Sequence, residues 1–488
     1  RAHLIDIFLS AIYEHACRAS GSISASRVTR MSLAAVGGYG RGELNPHSDI
    51  DIMFLHDASS RVPADTGDTI ERVLYMLWDM GFKVGHSTRN VATAAQHACD
   101  DYLSRTALLE ARRIYGDGTL FEEFVNAFQR KCISGRESEF IEWRVDDQRK
   151  RHAKYGGTVF VQEPNIKNGV GGLRDYQNLI WISFFKEGLL SYDQLVEKGI
   201  LREHERERLD MAYDFLLRTR SELHYLHGRA TDQLTIYYQG QIANAFRYPQ
   251  ENIIRRSEEF MRDYFRHARD IDRITNTVAE RLALSLREEQ SRGPLKALFG
   301  GHQAETEEVD GFIFRDGLIY RGGRGILDHD PYRILRVFLH AQNRGLGLSP
   351  QLLQFIRRRT PVIDEEFRHA QTAREIFQTI LSRKGRVGRI LRMMHETGVL
   401  GAYIPEFGAL DCLVQHEFYH RYTADEHTLR VVEVLDTLID TTDPKLEGYR
   451  RIFEKLQDPV VLYLAILLHD TGRATDARHH ADASSTFA

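Results

Sequence analysis

At 488 residues with 42% hydrophobic content, the chain is long enough to bury several cores and to form roughly two to four domains. Its 65 basic and 69 acidic residues leave a net charge of −4, which removes any global electrostatic case for a nucleic-acid partner. The four cysteines, Cys17, Cys99, Cys132 and Cys412, are scattered with no Cys-x-x-Cys pair. Neither a disulfide framework nor a zinc ribbon is expected, and a reducing cytoplasm is. The longest apolar run, Val460 to Leu468, falls short of a membrane span and stops at His469-Asp470. The first residue is Arg1, so an N-terminal piece is expected to be missing, and Leu4 to Leu9 lack a signal-peptide layout.

Residues 1 to about 25 read as an amphipathic helix with Leu4, Ile5, Phe8, Leu9, Ile12 and Tyr13 on one face, closed by Ser20-Gly21. Leu33 to Val36 is an apolar run of strand length. Gly37, Gly38, Gly40 and Gly42 follow it as a loop that tolerates positive φ and lets backbone amides approach a ligand. After the Asn45-Pro46 turn, Asp49 to Leu55 reads as a strand with Asp49 and Asp51 on one face and Ile50, Ile52 and Phe54 pointing into a core. Two carboxylates on one face repel, so something cationic is expected between them. Ala58 to Asp68 reads as a polar turn, and Thr69 to Met80 as a helix carrying Ile70, Val73, Leu74, Leu77 and Trp78. Phe82 to Ser87 follows as a strand, then helices at about Val91 to Asp101 and Ala107 to Arg113. This alternation predicts a compact α/β unit.

From Phe121 to about Glu289 the pattern is long, charged helices. They are interrupted by a loop from Glu163 to Asp175 in which Lys167 and Arg174 are available as cations for a phosphate or a protein contact. The plainer reading of that loop is a Gly171-Gly172 turn and a helix start with Asp175 as its terminal acid. Residues 290 to about 325 read as a linker, with a short hairpin from Phe312 to Tyr320. Helices resume at Pro331, with stripes Ile334, Leu335, Phe338, Leu339 and Ile376, Ile380, Leu381, while Arg357 to Arg359 reads as a solvated helix face. His427 opens a helix, and His469-Asp470 ends the apolar helix from Pro459.

The order strand, Gly37-Gly38, Arg41, Ser48, Asp49-x-Asp51 resembles the DNA polymerase beta-like nucleotidyltransferase superfamily. The resemblance implies that Asp49 and Asp51 hold Mg²⁺ on a nucleoside triphosphate and that Gly37, Gly38, Arg41 and Ser48 bind the nucleotide. A third carboxylate often follows on a later strand in that superfamily. Here the strand has Gly85 instead, and Glu110 is the nearby acid, readable also as a helix-surface residue. His427 with His469-Asp470 resembles the HD phosphohydrolases, which implies that these three ligate a divalent metal that activates water against a phosphate ester. His416 and His420, one turn apart, are further ligand candidates for which a local structural role is favoured, and His480 is another candidate in an imperfect context.

The Lys167 to Asp175 loop and the Tyr419 to His427 pattern narrow the resemblance to the bifunctional uridylyltransferases and uridylyl-removing enzymes of the protein PII, from residue 1 to nearly the end. This implies transfer of UMP from UTP to a tyrosine of PII with release of pyrophosphate, and hydrolysis of PII-UMP at the HD site. Two departures stand against the hydrolase. Thr471-Gly472-Arg473 replaces the family's isoleucine, glycine and lysine, and the chain stops at Ala488 before the last expected metal-binding aspartate. The glutamine-sensing ACT domains are also absent. The fold expected is α+β and mostly helical: a nucleotidyltransferase core with a mixed sheet over residues 1–135, a helical uridylyltransferase domain over 136–290, a linker and hairpin over 291–330, a helical connector over 331–420, and a truncated all-α HD domain over 421–488. The alternatives are a CCA-adding or poly(A)-type RNA nucleotidyltransferase, disfavoured by charge, a glutamine synthetase adenylyltransferase, disfavoured by the HD signature and the missing third acid, and a non-catalytic sensor of nucleotide or PII.

Overall fold

The structure, a computed structural model, describes residues 1–19, 30–58, 62–291, 307–323, 325–414 and 422–474. They divide into two compact units, one of Arg1–Gly157, Asn165–Leu234 and His267–Leu282, the other of Thr158–Pro164, Thr235–Arg266 and Ala283–Ala488. The stretch 136–290, read from sequence as one helical block, is shared between the two units.

The first unit is built on a four-stranded mixed sheet in the order β3-β2-β1-β4. β1 (Met31–Ala35) and β2 (Ile50–His56) pair antiparallel, β2 and β3 (Val84–Asn90) pair parallel, and β4 (Arg112–Gly116) pairs antiparallel with β1. Helix α1 (Ala2–Ala19) and helix α3 (Ala64–Asp79) cover one face of the sheet, burying Leu9, Ile12, Ile70, Val73 and Leu77 against Leu33, Ile52 and Phe54. Helix α6 (Gly118–Phe128) packs on β1 and β2, and Met53 and Leu55, on the same face as Asp51, are fully buried as well. A strand covered on both faces explains why Ile50 to Leu55 reads as a nearly continuous apolar run interrupted only by Asp51.

Three sequence expectations shift. Leu4 is 69% exposed and Trp78 44% exposed, so the buried stripes on α1 and α3 are narrower than the periodicity suggested. Helix α3 starts at Ala64 inside the expected polar turn, because Pro63 sits at its N-cap and Asp65 puts a carboxylate on the first turn. Helix α4 (Val91–Asp100) agrees with the reading, but the next helix, α5 (Tyr102–Leu109), begins earlier than expected. The Asp101 side chain caps α5 by accepting from the Ser104 amide at 2.7 Å. The chain then leaves the helix, and Arg112–Gly116 becomes the edge strand β4.

Further along the unit, α7 (Glu137–Lys154), α8 (Leu173–Glu187), α9 (Tyr192–Glu197) and α10 (Glu203–His227) supply the helical part. α7 and α10 both pack against α8.

In the second unit, β5 (Glu307–Val309), β6 (Phe312–Arg315), β7 (Leu318–Arg321) and β8 (Gly347–Leu348) form a sheet in chain order. The expected hairpin is β6–β7, closed by Asp316-Gly317 with φ of 51° and 75°, the geometry that a two-residue turn needs to match strand twist. Its Phe312, Phe314 and Ile319 join both predicted helical stripes in one core, with Ile334, Leu335 and Phe338 from one helix and Ile376, Ile380 and Leu381 from another. Asp310, at φ 55°, ties the β5–β6 turn to the helix Arg333–Arg344 through Arg333 (2.9 Å) and Arg336 (2.7 Å).

Burial pushes the Asp310 carboxyl up, but hydrogen bonds from Arg336 and Arg333 outweigh it and hold the group down at about 2. A carboxylate depressed below its unfolded value of about 3.9 contributes stability in full above that value and loses it as pH falls toward the folded one. Asp310→Asn is expected to lower the melting temperature at pH 7, with the gap to wild type closing between about pH 4 and pH 2. A gap constant over that window in thermal melts contradicts the assignment.

Candidate functional site

The first unit contains a cavity of about 810 Å³ lined by Gly37, Gly38, Ser48, Asp49, Asp51, Lys167 and Arg174, among others. The sheet delivers the acids. Asp49 lies just before β2 and Asp51 is its second residue, and the Asp51 carbonyl accepts from the Val36 amide at 3.0 Å, joining β2 to the glycine segment. That segment is a single helical turn, α2 (Gly37–Gly40), rather than an open loop. Gly37 has φ +57°, and a Cβ there would lie 3.9 Å from Asp51 Oδ2. A Cβ on Gly40 would come within 2.1 Å of the Glu110 carbonyl oxygen. Gly37 is favoured as glycine by its left-handed backbone, and Gly40 by the close approach of the Glu110 carbonyl.

The structure accounts for the absent third carboxylate. Asp51 pairs in register with Gly85 across the parallel β2–β3 ladder, and a Cβ on Gly85 would lie 2.3 Å from Asp51 Oδ1. The space a third acid would use at this position is filled by Asp51 itself. Glu110 is committed elsewhere, with one oxygen paired to Arg41 and the other accepting from Trp181 Nε1 at 2.6 Å. Asp49 and Asp51 are the carboxylates of the β2 segment that face this cavity. Burial raises the Asp51 carboxyl, Asp49 repulsion raises it further, and Lys167 lowers it. A half-buried acid repelled by an exposed neighbouring carboxylate offers hard oxygen donors that suit a small divalent cation such as Mg²⁺.

The cations sort by partner. Arg41 spans Glu43 (2.8 Å) and Glu110, and these pairs more than restore the charge that burial disfavours. Arg220 is paired with Asp232 at 2.6 Å and Arg151 with Asp175. Arg144 is held by Asn178 at 2.6 Å and lies over Trp181 and Trp143. Among the described residues lining the cavity, Lys167 and Arg174 have no carboxylate within 4 Å. Burial lowers Lys167 to about 8, with Arg174 and Arg220 repelling it. Burial and Arg41 lower Arg174 to about 10, and its guanidinium lies 5.3 Å from the Trp181 ring centroid.

The loop carrying these two cations is fixed by its own backbone. The Leu173 amide donates to the Ile166 carbonyl (3.0 Å) and the Arg174 amide to the Lys167 carbonyl (2.9 Å). Gly171 has φ +70°, and a Cβ there would come within 2.0 Å of the Ala268 carbonyl oxygen. Asp175, read from sequence as a helix-terminal acid, is fully buried. It accepts from the Gly171 amide (2.8 Å) and lies within hydrogen-bond reach of His152 Nε2 (2.9 Å), and it pairs with Arg151. Sequence reasoning missed Arg144, Arg151, Arg220 and the role of Asn45, whose amide donates to Ser221 Oγ at 2.8 Å and anchors the turn before β2 onto α10. The long charged helices that carry these arginines hold no local signal for which guanidinium turns inward.

In the second unit, His427 lies in the first turn of the helix Ala424–Thr437, and His469 caps the helix Pro459–Leu468, as the sequence predicts. One ligand atom each from His427, His469 and Asp470 falls within 4.8 Å of the others, a spacing suited to a divalent metal. Asp470 Oδ1 is paired with Arg473 Nε at 2.7 Å, the residue standing where the superfamily has lysine. His416, His420 and His480 lie outside the described residues.

Fold and cavity together define a nucleotidyltransferase domain, and residues 23–106 match the family model described as a nucleotidyltransferase domain. Residues 139–279 match that of the GlnD PII-uridylyltransferase, and residues 312–403 that of the uridylyltransferase GlnD third domain. Curated relatives named bifunctional uridylyltransferase/uridylyl-removing enzyme align with nearly the whole chain. The protein from Cereibacter sphaeroides is 36% identical over 98% of this chain and 51% of its own length. That from Erythrobacter litoralis is 34% identical over 98% and 52%, and that from Caulobacter vibrioides 33% over 96% and 50%. The chain is thus similar over nearly its whole length to bifunctional uridylyltransferases/uridylyl-removing enzymes, and it spans about half the length of the curated relatives it matches. No helix among the described residues is long and apolar enough to cross a membrane.

Because Gly85 leaves Asp51 its position, Gly85→Ala is expected to displace that carboxylate and weaken Mn²⁺ binding, used as a paramagnetic probe of this unit, by about tenfold or more, equivalent to ~1.4 kcal/mol. Unchanged Mn²⁺ affinity in a folded Gly85→Ala chain contradicts the steric account.

Proposed function

We propose that this chain transfers UMP from UTP to a tyrosine hydroxyl of the cytoplasmic signalling protein PII and releases pyrophosphate. The observation that carries the reading is the sorting of charge in the cavity: Asp49 and Asp51 repel each other, while Lys167 and Arg174, half-buried in the same cavity, have no carboxylate within 4 Å. Partly buried charges without close partners favour ligands that supply the opposite charge, and a metal-bound triphosphate supplies both signs at once. The relatives' name supplies the uridylyl group and the family description supplies PII. UTP as donor and tyrosine as acceptor follow from the family resemblance.

In this reaction the tyrosine oxygen attacks the α-phosphorus in line with the departing pyrophosphate, so one P–O bond forms as the bond to the β-phosphate bridge breaks. Asp49 and Asp51 would hold Mg²⁺, which when bound neutralises phosphate charge and stabilises the attacking and leaving oxygens. The Gly37 and Gly38 backbone and the Ser48 hydroxyl fix the phosphates. Lys167 and Arg174 meet the charge that accumulates on pyrophosphate. At neutral pH a lysine with a value of about 8 is still mostly an ammonium. The second half of the family's name is assigned to His427, His469 and Asp470, as ligands of a divalent metal for hydrolysis of PII-UMP.

With labelled UTP, Mg²⁺ and PII, wild type is expected to label PII. Asp49→Asn with Asp51→Asn should abolish labelling, and Lys167→Ala or Arg174→Ala should raise the KM for UTP by roughly 10- to 100-fold, the loss of one charge-assisted contact. Label on RNA, AMP preferred over UMP, or full activity of the double aspartate variant refutes the reading. Release of UMP from PII-UMP should disappear in His469→Gln while PII labelling persists, and parallel loss of both contradicts separate sites.

A further inference from the structure

The helix Ala424–Thr437 presents a second set of ligand-type side chains on the face away from His427. Residues two apart on a helix are turned about 200° from each other, so Asp425 and His427 serve different surroundings. Asp425 meets His395, from the helix Gly388–Glu396, and Asp411, from the turn after the helix Pro405–Gly408. One ligand atom from each of the three lies within 4.8 Å of the other two. Asp425 Oδ2 accepts from the Cys412 amide at 3.2 Å and lies 3.2 Å from His395 Nε2.

Two features ask for more than a structural ion pair. Asp425 has a side chain with no exposure, and its Oδ1 is buried without a hydrogen-bond partner. A buried carboxylate oxygen is normally matched by a donor or a cation. The set also brings two carboxylates and one imidazole, oxygen and nitrogen donors of the kind divalent ions take, into one pocket. Cys412 adopts φ +58°, a conformation uncommon outside glycine, and this places its amide on the same carboxylate next to Asp411.

We propose that His395, Asp411 and Asp425 bind one divalent transition-metal ion, of which Zn²⁺ or Mn²⁺ fits the one-nitrogen, two-oxygen donor set, at a site separate from both the Asp49–Asp51 pair and the His427–His469–Asp470 cluster. Such mixed imidazole and carboxylate sets are typical of these ions. Its role is a clamp. His395 lies within the segment 312–403 matched by the third-domain model, whereas Asp411 and Asp425 follow it, so the ion ties that domain to the first turn of the helix bearing His427. The Arg392 guanidinium already spans the same two helices, pairing with Glu426 at 2.8 Å and with Glu433. The ion would fix the end of this contact nearest His427.

The test is metal content of the full chain. After chelation and reloading with Zn²⁺, elemental analysis of wild type, His469→Gln, His395→Gln and Asp411→Asn should show one equivalent retained in His469→Gln but lost in His395→Gln and Asp411→Asn. Co²⁺ substitution into His469→Gln should give visible d–d absorption that disappears when Asp411→Asn is added. Asp411 is half-buried, so its asparagine variant is the one expected to fold, and it carries the test if His395→Gln does not. Equal Zn²⁺ content and an unchanged Co²⁺ spectrum with and without Asp411→Asn overturn the proposal, as does failure of His469→Gln to retain any Zn²⁺.

Discussion

Repulsion between two carboxylates held on one strand is the constraint on which the candidate transferase site depends. Asp49 and Asp51 enter the sheet where β2 is buried on both faces, and burial and mutual repulsion both disfavour Asp51 as an anion. Folding tolerates that cost because the rest of the cavity is arranged against it: Lys167 favours the Asp51 charge, and Arg174 brings a second cation without a carboxylate of its own. The other inward arginines are cancelled by Asp147, Asp175, Asp232 or the Glu43–Glu110 pair. Asp49, Asp51, Lys167 and Arg174 thus face one space, two charges of each sign.

Positions of those four groups are set by backbone devices more than by side-chain packing. Gly85 yields its side-chain volume to Asp51, Gly37 and Gly40 let a helical turn close over the strand ends, and Gly171 lets the Lys167–Arg174 loop approach the Ala268 carbonyl. Asp175 then locks that loop through the Gly171 amide, His152 and Arg151. Each device trades a side chain for close approach, and each would be damaged by a single Cβ or a single lost acceptor.

In the second unit one helix start plays a comparable part. Consecutive residues at the opening of Ala424–Thr437 point in three directions: Asp425 to His395, Glu426 to Arg392 and Arg430, and His427 to His469. Asp425 and Glu426 have no exposed side-chain surface. A helix N-terminus stabilises acids in its first turn, which helps to hold two buried carboxylates next to a metal-type histidine.

Local sequence determined the strand with its paired aspartates, the glycine segment ahead of it, the β6–β7 hairpin, the apolar stripes at Ile334–Phe338 and Ile376–Leu381, and the placing of His427 and His469 at helix ends. These depend on period-2 and period-3.6 patterns and on turn residues, which act over a few positions. Tertiary structure alone decided that Arg112–Gly116 is a strand, since an edge strand is specified by its partner β1 rather than by its own residues. It alone decided that Arg41 pairs with Glu43 and Glu110, that Glu110 also accepts from Trp181, and that Lys167 and Arg174 have no carboxylate within 4 Å. Ion pairing and burial are set by residues tens to hundreds of positions apart, as with Asp425 and His395 or Arg41 and Glu110, and no local pattern encodes which charge meets which.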